Sequence, residues 1–206
     1  MIILGLPNPK RPMKKGTFHA AACLLLLLCS CRKEKLPERL STPGFKEFII
    51  PQGQHYATEN NTKTVETSEL KFVVRFDSSA IYQTKNPENQ YDINKLYGFS
   101  DNDDQHHVYS ARFGWRWSDG ALRLFAYTYN NKVRESKELG VAPIGADIAC
   151  SIKVQGNAYF FSVNDKKITM PRSSSTAAAK GYQLYPYFGG DEPAPHEVRI
   201  LIKEEN

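Results

Sequence analysis

The sequence predicts an all-β protein, an antiparallel β-sandwich of the jelly-roll type, preceded by a signal peptide and a short tether. Two observations lead to this fold class. Hydrophobic residues alternate with polar ones at a period of two, which is typical of strands with one buried face. Turn-forming residues separate these runs at short intervals, and no long helical pattern is visible. The predicted boundaries are a signal peptide over 1–30, a lipid-anchored tether over 31–44 and the sandwich over 45–206.

The alternation is clearest in four runs, over residues 70–76, 111–117, 122–129 and 148–154. Within the second and third runs, Phe113, Trp115 and Leu124 have the parity expected of core residues. Cys150 has the same parity as its apolar neighbours, so we expect a small buried hydrophobic residue rather than a reactive thiol.

A tight hairpin is predicted where two alternating stretches, 159–163 and 166–170, flank Asn164 and Asp165. The last predicted strand covers 198–202. The segment after the tether holds enough residues to bury a hydrophobic core.

Residues 1–31 have the pattern of an export signal that ends in a lipid-attachment cysteine. A basic stretch is followed by an apolar core that is too short to span a membrane. The core ends in Leu28-Cys29-Ser30-Cys31, which resembles the bacterial lipobox, with Cys29 as a modest departure. Cleavage after Ser30 would leave Cys31 to carry acyl chains that anchor the protein. An ordinary signal peptide with an incidental Cys31 is the alternative, and Met13 is an alternative start.

The signal also explains the net charge of the chain. The whole sequence has 27 basic and 22 acidic residues, and residues 1–30 hold four of the basic ones and no acidic one, which leaves 23 against 22. We expect no nucleic-acid partner, because phosphate binding needs a concentrated basic surface. Of the four cysteines, only Cys150 remains as a free thiol, so no disulfide is expected within one chain.

Four stretches of the predicted sandwich, 94–99, 107–116, 126–129 and 187–198, carry a family resemblance. The chain resembles small Bacteroidetes-type lipoproteins with a concanavalin A-like jelly roll, akin to lectin, glucanase and alginate-lyase-like sandwiches. The resemblance spans about residue 45 to the C-terminus. It implies a lipid-anchored cell-envelope protein at the outer membrane of a Gram-negative bacterium, with the side of the membrane left open, and a carbohydrate ligand.

The first candidate site is an aromatic and basic patch. Strand parity places Arg112, Arg116, Tyr127 and Tyr129 on the face opposite the predicted core set. Aromatic rings stack on the CH faces of sugars, and arginine binds hydroxyls or carboxylates. These four residues are therefore predicted to bind a glycan, and the arginines favour an anionic one. Structural ion pairing of the arginines is the alternative.

The second candidate is the acidic loop that contains Asp101, Asp103 and Asp104. Clustered carboxylates bind Ca²⁺, but the glycine and glutamate that an EF-hand requires are missing here. His106 and His107 are expected on opposite faces of a strand, where they would not easily share a metal. We therefore expect a solvated loop and no cofactor, with a structural Ca²⁺ at the three aspartates as the alternative.

A third stretch, 189–197, combines glycines and prolines with Asp191, Glu192, His196 and Glu197. Its acids and histidine could supply catalytic or metal-ligating groups. A structural corner that closes the sandwich is the preferred interpretation.

No catalytic motif is recognisable, and no residue is assigned a catalytic role. The paired acids of jelly-roll glucanases, E-x-D-x-E, do not occur. Arg112, His107, Gln183 and Tyr185 could take alginate-lyase-like roles, although their order matches no lyase motif. The leading hypothesis is thus a carbohydrate-binding or accessory envelope protein. A polysaccharide lyase or glycoside hydrolase is one alternative, and a structural envelope protein without a small ligand is another.

Replacing Cys31 by serine is expected to abolish incorporation of labelled palmitate in growing cells, because the thiol is the predicted attachment atom. Cys150→Ser is the matched control and should keep its label. Palmitate labelling that persists in Cys31→Ser would contradict the lipoprotein prediction.

Overall fold

In the computed structural model, which describes residues 43–174 and 176–205, the chain forms twelve β-strands and two short 3₁₀ turns. The predicted signal peptide, Cys31 and residues 31–42 of the predicted tether lie outside the described residues. No helix in the described part of the chain is long and apolar enough to cross a membrane.

The strands are, in chain order, β1 (Lys46–Ile50), β2 (Thr64–Thr67), β3 (Glu69–Phe76), β4 (Asn94–Ser100), β5 (Tyr109–Ser118), β6 (Ala121–Asn130), β7 (Val133–Ala142), β8 (Ile148–Gln155), β9 (Ala158–Val163), β10 (Lys166–Pro171), β11 (Ala179–Leu184) and β12 (Val198–Glu205). The 3₁₀ turns, Ser78–Ala80 and Pro87–Tyr91, lie between β3 and β4. One six-stranded sheet has the order β1-β12-β3-β8-β9-β10, and we refer to it as the first sheet. The second sheet has the order β2-β11-β4-β5-β6-β7. Every strand pairing is antiparallel, so the predicted antiparallel sandwich is confirmed.

The core lies between the two sheets and is rich in aromatic side chains. Phe113 of β5 packs edge-on against Phe72 of β3 and Phe161 of β9, with ring centroids 5.5 and 5.2 Å apart. Trp115 packs against Phe76 of β3 at 5.5 Å. The three predicted core residues are buried, as strand parity requires. Cys150 is buried as well, and burial raises the pKa of its thiol.

The predicted hairpin is confirmed as β9 and β10, with Asn164 at a φ of 50° in the turn. Five strands, β1, β2, β4, β7 and β11, were not predicted from the alternation. For β7 the reason is clear: it is an edge strand, and most of its side chains are exposed on both faces, so it has no hydrophobic alternation.

Asp101 and Arg172 form an ion pair with fully buried side chains, and the Arg172 Nε donates to Asp101 Oδ2 over 2.7 Å. The Tyr159 hydroxyl donates to the same oxygen. The backbone N–H groups of Asn102 and Lys180 donate to Asp101 Oδ1. Burial by itself would raise the pKa of Asp101, but the hydrogen bonds from Arg172 and Tyr159 outweigh it and hold that pKa below its ordinary value.

Asp101 is buried, so the expectation of a solvated loop is wrong at this residue. Both oxygens of Asp101 are occupied by protein donors, so neither is free to coordinate a cation. Asp103 and Asp104 are exposed, and the Asp104 carboxylate accepts the backbone N–H of Gln105. No group of three potential metal-ligating residues occurs among the described residues.

Replacing Arg172 by methionine is expected to lower the free energy of unfolding by about 3–5 kcal/mol, because Asp101 is left buried without its counterion. Chemical denaturation measures this change. The control is Arg199→Met, which breaks a partly exposed pair with Glu197 and should cost less than about 1 kcal/mol. Similar losses of unfolding free energy in the two variants would contradict the prediction that the buried pair stabilises the fold more than the exposed one.

Candidate functional site

A groove of about 450 Å³ crosses the outward face of the second sheet, and its volume falls within the range of ligand sites. Eighteen described residues line it: Tyr56, Asn60, Asn61, Thr62, Lys95, His106, His107, Arg112, Tyr127, Tyr129, Arg134, Tyr182, Gln183, Leu184, Tyr185, Pro186, Tyr187 and Gly190. None of the eighteen is an aspartate or a glutamate, whereas three are lysine or arginine and six are tyrosine.

Antiparallel pairing brings the cations of the groove next to its aromatic rings. Arg112 of β5 lies opposite Tyr127 of β6, and Tyr129 lies opposite Arg134 of β7. Lys95 of β4 lies opposite Gly114 of β5, and Gly114 is two residues after Arg112 and so has the same parity. Residues opposite each other share a face, so these side chains lie on the side of the sheet away from the core.

Arg112 is the most unusual residue of the groove. It is only 6% exposed, and its Nε is buried with no hydrogen-bond partner among the described residues. Its guanidinium lies over the Tyr127 ring at 5.3 Å. Burial lowers the pKa of Arg112, because water has been removed from the charged group. A buried cation without an anion is costly to the fold, and a bound anion is one arrangement that would remove this cost.

Most of the other described arginines, unlike Arg112, have a hydrogen-bond acceptor. Five of the seven described arginines donate to a carboxylate or a carbonyl, namely Arg75, Arg116, Arg123, Arg172 and Arg199. The remaining two, Arg112 and Arg134, form no hydrogen bond or ion pair within the described part of the chain. Both line the groove.

Lys95 is the third groove cation without a carboxylate partner among the described residues. Its Nζ lies 5.3 Å from the Tyr127 ring centroid and 6.0 Å from that of Tyr187. Burial, together with the nearby charges of Arg112 and Arg134, lowers the pKa of Lys95 to about 8. Near neutral pH this amine is protonated, and it loses its proton in a range where an ordinary lysine keeps it.

His106 and His107 lie in the turn before β5, not in a strand, and both line the groove. This corrects the expectation that they point to opposite faces, and their rings are 4.2 Å apart. The Tyr182 hydroxyl accepts the backbone N–H of His106 and shares a second hydrogen bond with its Nδ1 at 2.9 Å. Burial, followed by Arg112 and His107, lowers the pKa of His106 to about 4, so its imidazole is neutral at pH 7.

Two of the groove tyrosines form a pair, since the rings of Tyr127 and Tyr129 lie 6.0 Å apart. Burial and the neighbouring Tyr129 raise the pKa of Tyr127 to about 12. Tyr127 therefore keeps its proton at neutral pH, and its ring lies beneath the two cations Lys95 and Arg112.

Of the four residues predicted to bind a glycan, the structure brings three together in the groove, namely Arg112, Tyr127 and Tyr129. Arg116 lies outside the groove-lining set. Its Nη1 donates to the carbonyl of Tyr91, and its guanidinium covers the Phe125 ring at 4.8 Å. The ligand-binding role of all four remains a prediction.

The four residues considered for lyase-like roles, Arg112, His107, Gln183 and Tyr185, also line the groove. Two of them are engaged by the fold. Gln183 is buried, and its Nε2 donates to the carbonyl of Gly98 over 2.6 Å. The Tyr185 ring packs against Phe48 of the core at 5.8 Å.

The stretch 189–197 contains side chains that serve the fold. The Glu192 carboxylate accepts the backbone N–H groups of Lys85 and Asn86, and these hydrogen bonds lower its pKa. The His196 ring shares a hydrogen bond with the carbonyl of Ser79. These contacts agree with a corner that holds the 3₁₀ turns to the last strand.

Sequence reasoning assigned no binding role to several groove residues, among them Tyr56, Asn60, Asn61, Thr62, Lys95, Arg134, Tyr182 and Tyr187. Two of them had a usable signal, since Tyr182 and Tyr187 belong to a tyrosine-rich run, 182–187, in which three of the six residues are tyrosine. Arg134 lies on β7, which the alternation did not identify.

The comparisons with known proteins support the fold. No family model matches the sequence, and a search of curated proteins gave no match. The structure of the alginate lyase AlyC3 is similar with a TM-score of 0.54 and 13% identity, over 77% of this chain and 73% of that chain. AlyC3 in complex with dimannuronate gives the same TM-score and identity, over 77% and 72%. A glycoside hydrolase family 16 endo-glucanase from Bacteroides ovatus has a TM-score of 0.46 and 13% identity, over 77% and 80%.

At this identity the likeness shows the fold, and the predicted concanavalin A-like jelly roll is confirmed.

Replacing Arg112 by methionine is expected to raise the free energy of unfolding by about 1–2 kcal/mol. The removed desolvation penalty, about 3 kcal/mol or more for a charged group, exceeds the lost cation–π contact with Tyr127, about 2 kcal/mol in a desolvated site. Urea denaturation measures the change. The control is Arg123→Met, whose arginine is paired with Glu138, and it should be neutral or slightly destabilising. Destabilisation in Arg112→Met would mean that the fold itself needs this cation.

Proposed function

We propose that the groove binds an acidic polysaccharide, and that the chain is a lipid-anchored protein of the cell envelope that presents this site. The observation that carries the proposal is Arg112, a buried guanidinium whose Nε has no partner among the described residues. A sugar carboxylate would supply the missing acceptor through a charge-assisted hydrogen bond.

The rest of the groove favours an anion as well. Lys95 and Arg134 add two cations without a carboxylate partner among the described residues, and no acidic residue lines the groove to oppose a negative ligand. In a partly buried site such charges attract an anion more strongly than in bulk water. The groove therefore suits uronate units rather than neutral sugars alone.

The aromatic lining favours a sugar over a small inorganic anion. Six tyrosines line the groove, and Tyr56 is 65% exposed. Exposed rings offer flat apolar surfaces to the CH faces of pyranoses. The alginate lyase AlyC3, which has a similar fold, was solved in complex with dimannuronate, which agrees with a uronate ligand for this chain.

The envelope location is supported by the sequence of residues 1–31, in which a basic stretch, a short apolar core and the Ser30-Cys31 pair coincide. Attachment through Cys31 would hold the sandwich at a membrane, and we propose the outer membrane of a Gram-negative bacterium. Tethering raises the effective concentration of the groove near envelope polysaccharides.

A second candidate function is cleavage of the same polymer by β-elimination, which the presence of Arg112, His107 and Tyr127 in one groove favours. In that reaction Arg112 would neutralise the uronate carboxylate, and His107 would remove the proton from C5. Electrons of the broken C–H bond form the C4–C5 double bond, and the C4–O bond breaks. Tyr127, which is protonated at neutral pH, would give its proton to the departing oxygen. Gln183 is given no role in this scheme, because its amide already donates a hydrogen bond to the Gly98 carbonyl.

Polymannuronate is the probe for both candidates, with binding measured by calorimetry and product formation by the ultraviolet absorbance of unsaturated ends. Wild-type protein is expected to bind, and Arg112→Met should weaken binding about 10- to 100-fold, as expected for a lost charge-assisted hydrogen bond. Arg123→Met keeps its ligand affinity, because that arginine is paired with Glu138 outside the groove.

The same experiment has a pH arm. Lys95 is protonated below its pKa of about 8, so affinity should fall as the pH rises from about 7 to about 9.5. Lys95→Met should remove most of this pH dependence. Absence of binding to any polyuronate would overturn the proposed function, whereas release of unsaturated ends would establish the lyase.

A further inference from the structure

The groove has two chemically different halves. The cationic half is formed on β4 to β7 by Lys95, Arg112 and Arg134, together with the two histidines and the Tyr127–Tyr129 pair. The amide half lies towards β2 and is formed by Tyr56, Asn60, Asn61, Thr62, Tyr185 and Pro186. Tyr187 stands between them, in contact with Lys95 on one side and Tyr56 on the other.

The amide half contains no charged lining residue, and the charges near it are already paired. Glu59, which lies in the loop before Asn60, forms an ion pair with Lys46 at 3.0 Å. Lys63, which follows Thr62, binds the Glu204 carboxylate at 3.0 Å. Among the described residues, no unpaired cation is therefore available to a ligand in this half.

The side chains of the amide half are nevertheless free to bind. Asn60 and Asn61 are exposed, and their amides make no hydrogen bond within the described part of the chain. An amide supplies both donors and an acceptor, which suits sugar hydroxyls and acetamido groups. The exposed Tyr56 ring packs edge-on against Tyr187, with centroids 4.9 Å apart, and gives the half an aromatic wall.

The geometry points to a mixed polysaccharide as the ligand, with an acidic sugar in the cationic half and a neutral sugar beside it in the amide half. This inference rests on the proposed function and narrows its substrate class from acidic polysaccharides in general to those that alternate acidic and neutral units.

A polymer of uronates alone fits the groove less well. It would place a second carboxylate in the amide half, where no free cation receives it and where Glu59 and Glu204 lie nearby. That carboxylate would lose water without gaining a counterion, which is unfavourable. A neutral unit at the same place meets the two asparagine amides and the Tyr56 ring instead.

The experiment compares two probes of matched length on the full chain by calorimetry, an alternating glucuronate–N-acetylglucosamine oligosaccharide and an oligomannuronate. We expect the alternating probe to bind at least about tenfold more tightly. The double variant Asn60→Ala/Asn61→Ala should reduce this preference to about twofold or less. Asn157→Ala, an exposed asparagine in the β8–β9 turn, is the matched control and should keep the full preference.

The outcomes separate this inference from the proposed function. Equal or tighter binding of the oligomannuronate would overturn the mixed-polymer inference and leave the acidic-polysaccharide proposal in place. A preference that survives in the asparagine double variant would also overturn the inference, because the amide half would then not be its source. If neither probe binds, the proposed function fails and the inference fails with it.

Discussion

The ion pair between Asp101 and Arg172 joins the two sheets of the sandwich. Asp101 directly follows β4 of the second sheet, and Arg172 directly follows β10 of the first. Because both side chains are fully buried, each charge depends on the other, and Asp101 also accepts a hydrogen bond from the Tyr159 hydroxyl. The turn that begins at Asp101 leads to His106 and His107, so the pair also fixes the position of the groove histidines.

The buried charge in the groove differs from the Asp101–Arg172 pair in its hydrogen bonding. Arg172 has its full set of acceptors, whereas the Nε of Arg112 has none among the described residues. The first arrangement stabilises the fold, and the second is a cost to the fold that a bound carboxylate would relieve. Lys95, whose pKa is lowered by burial and by the other groove cations, shares this character. Stability and ligand binding are thus expected to change in opposite directions at Arg112.

Much of the sandwich was predictable because burial of one strand face imposes alternation. Phe113, Trp115 and Leu124 were assigned to the core by parity, and all three are buried. The method failed at β7, whose exposed side chains carry no alternation, and Arg134 was missed with it. Strand parity also predicted the same glycan-binding role for Arg116 as for Arg112, because parity identifies the face of a strand but not the neighbours that cover it. In the fold, Arg116 donates to the Tyr91 carbonyl and covers the Phe125 ring, whereas Arg112 has no hydrogen-bond partner in the part of the chain that the structure describes.

The sequence by itself determined the period-two strands, the sandwich class, the near-neutral charge of residues 31–206 and the parity of the groove-facing side chains, since these depend on local pattern and composition. Only the tertiary structure decided which charges are paired. Asp101 was expected in a solvated loop, with calcium binding as the alternative, whereas in the fold it is buried against Arg172, 71 residues later. Likewise, the amide half and the cationic half come from distant segments that meet only when β2, β11 and β4 to β7 assemble into one sheet. Pairing of charges is a property of spatial contact, and no local pattern encodes it.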